Sequence, residues 1–108
     1  MLILLDNNAP RGLAKAFTGH TVIEARERGW AKLENGELLT VAERAGFSLL
    51  VTSDKNIRYQ QNLKDRTIAL VVLSQGRWSL VRLRVPEIVA AVNRATPGSY
   101  AEVEIPFN

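Results

Sequence analysis

The chain opens on Leu2-Ile3-Leu4-Leu5, apolar without alternation, which is the pattern of a strand covered on both faces in a parallel sheet. It stops at Asp6-Asn7-Asn8. Asn8 is placed to cap a helix that Pro10 begins near its first turn, where a proline forfeits only an amide without an intrahelical partner. Leu13, Ala14 and Phe17 give that helix its inner stripe, and Gly19 ends it. His20-Thr21-Val22-Ile23 predicts a short second strand, and the charged, poorly patterned stretch from Glu24 to Trp30 reads as a loop or one helical turn. Asn35 stands as a cap before Gly36-Glu37, Leu38, Leu39, Ala42 and Ala45 recur at helical spacing, and Gly46 sits where a C-terminal stop belongs. Phe47 to Val51 is a third apolar strand leading into Thr52-Ser53-Asp54-Lys55-Asn56, with a short helix expected over Ile57 to Leu63 and a fourth strand over Ile68 to Leu73. Trp78 to Arg94 is helical in pattern, with Pro86 either kinking it or starting a second helix whose Glu87 and Arg94 suit the dipole at each end. After the break at Pro97-Gly98, Tyr100, Glu102 and Glu104 alternate with Ala101, Val103 and Ile105, describing a half-exposed edge strand.

Strands alternating with helices predict an α/β fold around a mostly parallel sheet of about five strands, with no repeat and no linker, so residues 1–108 form one domain. Composition narrows the classes: 46% apolar and 23% charged residues argue against disorder and low complexity. The longest uninterrupted apolar runs, Leu2 to Leu5 and Ile68 to Leu73, fall far short of the ~20 residues that cross a bilayer. Met1 to Leu5 has no basic leader, and the protein is expected to be cytoplasmic. With no cysteine and one histidine, thiolate catalysis, disulfides and cysteine-held metals are excluded, and any metal is expected to be oxygen-bound. A net charge of +3 and a pI near 9.7 permit a nucleic-acid partner.

In open parallel sheets ligands bind beyond the carboxyl ends of the strands, so polar residues directly after apolar runs are the candidates for chemistry. Asp6 follows the first strand, Asp54 follows the third, and Glu37 lies in the first turn of the intervening helix. Carboxylates that converge repel one another unless a divalent cation neutralises them, and hard cations such as Mg²⁺ or Mn²⁺ take oxygen ligands with several waters retained. Such an ion serves phosphodiester cleavage without a nucleophilic side chain. Each acid has an ordinary structural role open to it as well: Asp6 capping the first helix, Glu37 offsetting a dipole, Asp54 stabilising a turn or capping the next helix.

For a polyanionic substrate, Arg11, Lys15, Lys55, Arg58, Lys64 and Arg66 lie in segments that leave the same strand ends, and Tyr59 is placed to stack on a base. Lys55 and Arg58 are the chosen contacts among them, because most Lys and Arg residues simply solvate helix faces. Arg77, Arg82 and Arg84 near Trp78 are open to both readings. His20 opens a strand far in sequence from the acids and is left out of the site. Trp30 and Trp78 read as core or interface anchors, and there is no Gly-rich phosphate loop.

The segments Leu4-Leu5-Asp6-Asn7-Asn8-Ala9-Pro10, Gly19-His20-Thr21-Val22, Gly36-Glu37-Leu38-Leu39 and Leu50-Val51-Thr52-Ser53-Asp54 resemble, in order, the motifs of the short PIN-like proteins. The resemblance covers most of residues 1 to 73. That family is similar to the PIN-domain nucleases, whose members include ribonuclease toxins of type II toxin–antitoxin pairs. The resemblance implies a PIN-like three-layer α/β sandwich, places Asp6, Glu37 and Asp54 on metal-binding acids, and implies Mg²⁺ or Mn²⁺ as cofactor, RNA as substrate and an antitoxin protein as partner. Two departures stand out: the first loop often carries an acid where this chain has Asn7, and the third often reads Asp-x-Asp where it has Asp54-Lys55-Asn56. The Asn56 amide oxygen still suits a hard cation or its water but brings no charge, and Lys55 beside it is able to repel a metal or hold a phosphate.

Three functional readings follow. The first is a metal-dependent ribonuclease of PIN-like type, the toxin of a toxin–antitoxin pair, with Asp6, Glu37, Asp54 and Asn56 around the ion. The second keeps the fold without cleavage, as an RNA- or protein-binding module, and Asn7 and Asn56 favour it. The third makes Asp54 the phosphoacceptor of a receiver-like domain with Ser74 in the hydroxyl role, although Pro106-Phe107-Asn108 stands where that reading wants a lysine. The edge strand at Tyr100 to Ile105 further suggests a homodimer or antitoxin pairing through exposed backbone groups.

Overall fold

The computed structural model describes residues 1–57, 63 and 65–107. Five strands, β1 (Leu2–Leu5), β2 (Thr21–Glu24), β3 (Leu49–Thr52), β4 (Ala69–Leu73) and β5 (Tyr100–Val103), form one sheet in the order β2-β1-β3-β4-β5. Every neighbouring pair is parallel, with Leu4 of β1 facing Ile23 of β2 and Leu50 of β3.

Parity explains the unbroken apolar runs. Ile3, Leu5, Leu49, Val51, Val71 and Leu73 point to one face, where they pack with Leu13, Phe17, Ile88 and Val92. Leu4, Leu50, Leu70 and Val72 point to the other, against Leu38, Leu39 and Ala42. Helix α1 (Asn35–Arg44) therefore covers one face, and the 3-10 helix Arg11–Lys15 with helices α2 (Trp78–Val81) and α3 (Val85–Arg94) covers the other, giving three layers. Gly46, at φ +90°, turns the chain out of α1 and into β3.

Several local expectations are corrected, and two open ones are decided. The first helix is five residues of 3-10 helix preceded by Pro10, and the Asn8 side chain does not cap it. That side chain is drawn across the sheet instead, accepting from the Ser53 N–H at 3.0 Å. Asn35 does not cap α1 but is its first residue, with Glu34 in the cap position. The Glu24–Trp30 stretch holds a 3-10 turn, Ala25–Arg28, closed by reciprocal bonds between Glu24 and Glu27. Pro86 starts a helix rather than kinking one, because a 3-10 turn at Arg82–Arg84 separates α2 from α3. Strand β5 ends at Val103, and Ile105 beyond it is fully buried, its N–H donating to the Ser74 hydroxyl at 2.7 Å. Apart from Ile57 and Leu63, the expected helix over Ile57 to Leu63 lies outside the described residues. Among the described residues no helix is long and apolar enough to cross a membrane.

Candidate functional site at the carboxyl end of the sheet

From β1 the chain moves outward to β2 and then returns past β1 to β3, so the strand order reverses between β1 and β3. In doubly wound sheets that reversal leaves a crevice beyond the carboxyl ends of the two strands, where ligands bind. Asp6 is the first residue after β1, and its N–H continues the ladder by donating to the Val51 carbonyl at 2.9 Å. By period-two parity Asp6 points to the same face as Leu4, and Thr52 to the same face as Leu50, so both meet under the start of α1.

Thr52 is the one polar side chain fully buried among the described residues, and it joins the two acids. Its hydroxyl donates to Asp6 Oδ2 at 2.8 Å and accepts from the Asp54 N–H at 3.1 Å. Asn8 Oδ1 lies 3.1 Å from the same hydroxyl, but a hydroxyl has one proton, and the shorter, charge-assisted contact takes it. Asp6 Oδ1 accepts from the Asn7 N–H at 2.8 Å. Asp54 Oδ1 accepts from the Asn56 N–H at 3.0 Å in an Asx turn, and Asp54 Oδ2 accepts from Asn35 Nδ2 at 2.6 Å. Each of the four carboxylate oxygens thus holds one donor.

The other candidates do not all converge there. Glu37 is exposed and lines an open groove with Thr40, Val41 and Arg66, whereas Asn35 faces Asp54. Two residues along an α-helix are about 200° apart around its axis, so α1 can point only one of the pair at the crevice. Among the described residues no three acids or histidines are grouped so as to hold a metal ion. Asn56 contributes its backbone N–H to Asp54, and its side chain is exposed. Lys55 is exposed and lines a small cavity of about 120 Å³ with Ser74, Glu102, Glu104 and Phe107. Arg58, Tyr59 and Lys64 lie outside the described residues. Arg66 is engaged with α1: its guanidinium pairs with Glu43 at 2.6 Å and also reaches the Thr40 hydroxyl, tying α1 to the segment that enters β4. Arg11 is paired with Glu24 at 3.1 Å. His20 is bonded to Met1 and Asn93, away from the acids.

Sequence reasoning missed Asn35, Thr52 and Asn8 as members of this constellation. The available signal was positional: Thr52 ends an apolar run with inward parity, and Asn35 begins the helix between the two acids. The β4–α2 loop closes over the crevice at Gly76, where a Cβ would overlap the Asn8 carbonyl oxygen and stand 3.0 Å from Ser53 Oγ. Glycine is what allows the loop to lie so close to the Asp6 loop.

Comparison with family models, with curated proteins and with solved structures gives no match for this chain. Function is therefore argued from the crevice itself. Its acidic groups are two carboxylates, and the Asp6 loop also carries Asn7 Oδ1, a buried amide oxygen with no hydrogen-bond partner among the described residues. That is an all-oxygen set suited to a hard divalent cation, whose charge the two carboxylates match.

Proposed function

We propose that the crevice between β1 and β3 is the site of a metal-dependent ribonuclease of PIN-like type, acting as the toxin of a toxin–antitoxin pair. The observation that carries this reading is the placement of Asp6 and Asp54 at the strand-order reversal, joined through buried Thr52. Asp6 and Asp54 would hold Mg²⁺ or Mn²⁺, and the bound ion supplies an activated water and charge stabilisation for phosphodiester cleavage. Thr52 fixes the Asp6 carboxylate by its hydroxyl and fixes the Asp54 backbone by the same oxygen, so the two acids keep one spacing. The test is cleavage of a mixed RNA pool with Mn²⁺ by the parent, Asp6→Asn and Asp54→Asn. Loss of cutting in both variants, with unchanged circular dichroism, is the expected result, and parent-like cutting in either overturns the site.

A second reading, a PIN-like module that binds RNA or a partner protein without cutting, is favoured by the Asn35 contact. With Asn35 Nδ2 on Asp54 and one donor on every carboxylate oxygen, the acids are compensated by hydrogen bonds without an ion. The receiver-like reading shares the strand order, but Ser74 is committed to the backbone of Ile105, which leaves its hydroxyl clamping the C-terminal segment.

A further inference from the structure

Trp78 begins α2 and is 42% exposed, a large apolar surface for so small a protein. A Cβ built on Gly12 would stand 2.7 to 2.8 Å from Cζ2, Cε2 and Cη2 of the indole. Near-equal distances to three adjacent ring atoms place that point above the ring plane rather than at its edge, so one face of the six-membered ring rests on the Gly12 backbone. Gly12 belongs to the 3-10 helix that follows the Asp6 loop, and Trp78 follows the loop that Gly76 seats against Asn8. The indole therefore stands beside the loops that leave β1 and β4, braced from beneath.

The charged residues nearest it along the chain are arginines. Arg77 and Arg82 are exposed, and neither makes an ion pair among the described residues. Arg82 is four residues beyond Trp78, one helical turn on, and so shares its face. Leu83 is 57% exposed on the 3-10 turn that follows. Exposed arginines without acidic partners, next to an aromatic ring braced on one face, match a polymer that alternates phosphates with flat bases. A folded protein partner would call for a broader apolar patch than one indole and one leucine.

We propose that Trp78, Arg77 and Arg82 form a stacking platform for single-stranded RNA beside the loops that leave β1 and β4. A base stacks on the indole, and the two guanidinium groups contact the flanking phosphates. The choice of RNA rests on the ribonuclease reading, but binding at this surface requires neither metal nor cleavage.

The experiment is fluorescence anisotropy of a short labelled oligouridine titrated with the full chain in EDTA, so that binding is read apart from cutting. Trp78→Ala is expected to weaken binding about tenfold, with Trp78→Phe intermediate because a smaller ring still stacks. Arg77→Ala with Arg82→Ala is expected to flatten the dependence of log affinity on log salt by about 0.7 for each arginine removed. These variants alter exposed side chains, and a second pair of exposed arginines, Arg44→Ala with Arg94→Ala, controls for loss of positive charge alone. Parent-like affinity in Trp78→Ala, or an equal loss in the control pair, overturns the platform. So does tighter binding of labelled polyglutamate than of oligouridine with the same loss in Trp78→Ala, which assigns the surface to an acidic protein. The loss in Trp78→Ala is read in EDTA, where no ion is held and no RNA is cut, so the two proposals fail separately.

Discussion

Thr52 shows how one buried residue sets the geometry of two others. Replacing it by valine keeps the volume and removes the hydroxyl, leaving Asp6 Oδ2 and the Asp54 N–H without their partner. Thr52→Val is expected to cost about 1–3 kcal/mol, read as a lowered denaturant midpoint with unchanged slope. Asn35 tests the charge logic more directly, since its amide nitrogen is 2.6 Å from Asp54 Oδ2. Asn35→Asp puts a carboxylate against a carboxylate, so the metal-free protein is expected to melt lower at neutral pH and to regain its stability when Mn²⁺ is added. A melting temperature that Mn²⁺ leaves unchanged in that variant counts against a cation at the crevice. Sequence reading favours Glu37 here because it looks for charge. The phase of α1 against the sheet decides the matter, and that phase turns Asn35 toward Asp54, a contact that no spacing along the chain encodes.

At the scale of elements, α1 is tied to the start of β4 by Glu43. Burial raises the Glu43 carboxyl, but the Arg66 guanidinium, the N–H groups of Thr67 and Ile68 and the Thr67 hydroxyl together outweigh it and hold the group below its ordinary value of 4.5. A carboxyl depressed in the folded state gives stability that is present above the unfolded value and lost as pH falls through the folded one. Glu43→Gln is therefore expected to flatten the loss of stability below about pH 4.5 and to cost about 1–2 kcal/mol at neutral pH, measured by urea unfolding across that range. Gly76 makes the same point for the other layer. Gly76→Ala forces the β4–α2 loop off the Asn8 carbonyl and is expected to destabilise by about 1–3 kcal/mol, read by thermal melting. Strands were legible because both faces of the sheet are covered, which writes each buried strand as an unbroken apolar run such as Leu2 to Leu5. The 3-10 helix at Arg11–Lys15 was less so, because only Leu13 of it is buried and Gly12 lies against Trp78, more than sixty positions away.

For the whole molecule, β2 and β5 end the strand order among the described residues, and a further strand from a second copy or a partner would add beside one of them. The C-terminal segment is also core: Val103 and Ile105 are buried, and Ser74 holds Ile105. Truncation after Gly98 is thus expected to unfold the domain, lost as a cooperative melt, so partner mapping at β5 calls for a point change at Glu102, its one exposed residue. The fold brings Asp6 and Asp54 to one crevice from opposite sides of the strand-order reversal, and the central claim is that this crevice holds a divalent cation. Calorimetric titration of Mn²⁺ into the parent and Asp54→Asn tests it most directly. Saturable binding in the parent that disappears in the variant is the predicted result; no binding heat in the parent, or equal binding in both, contradicts the account.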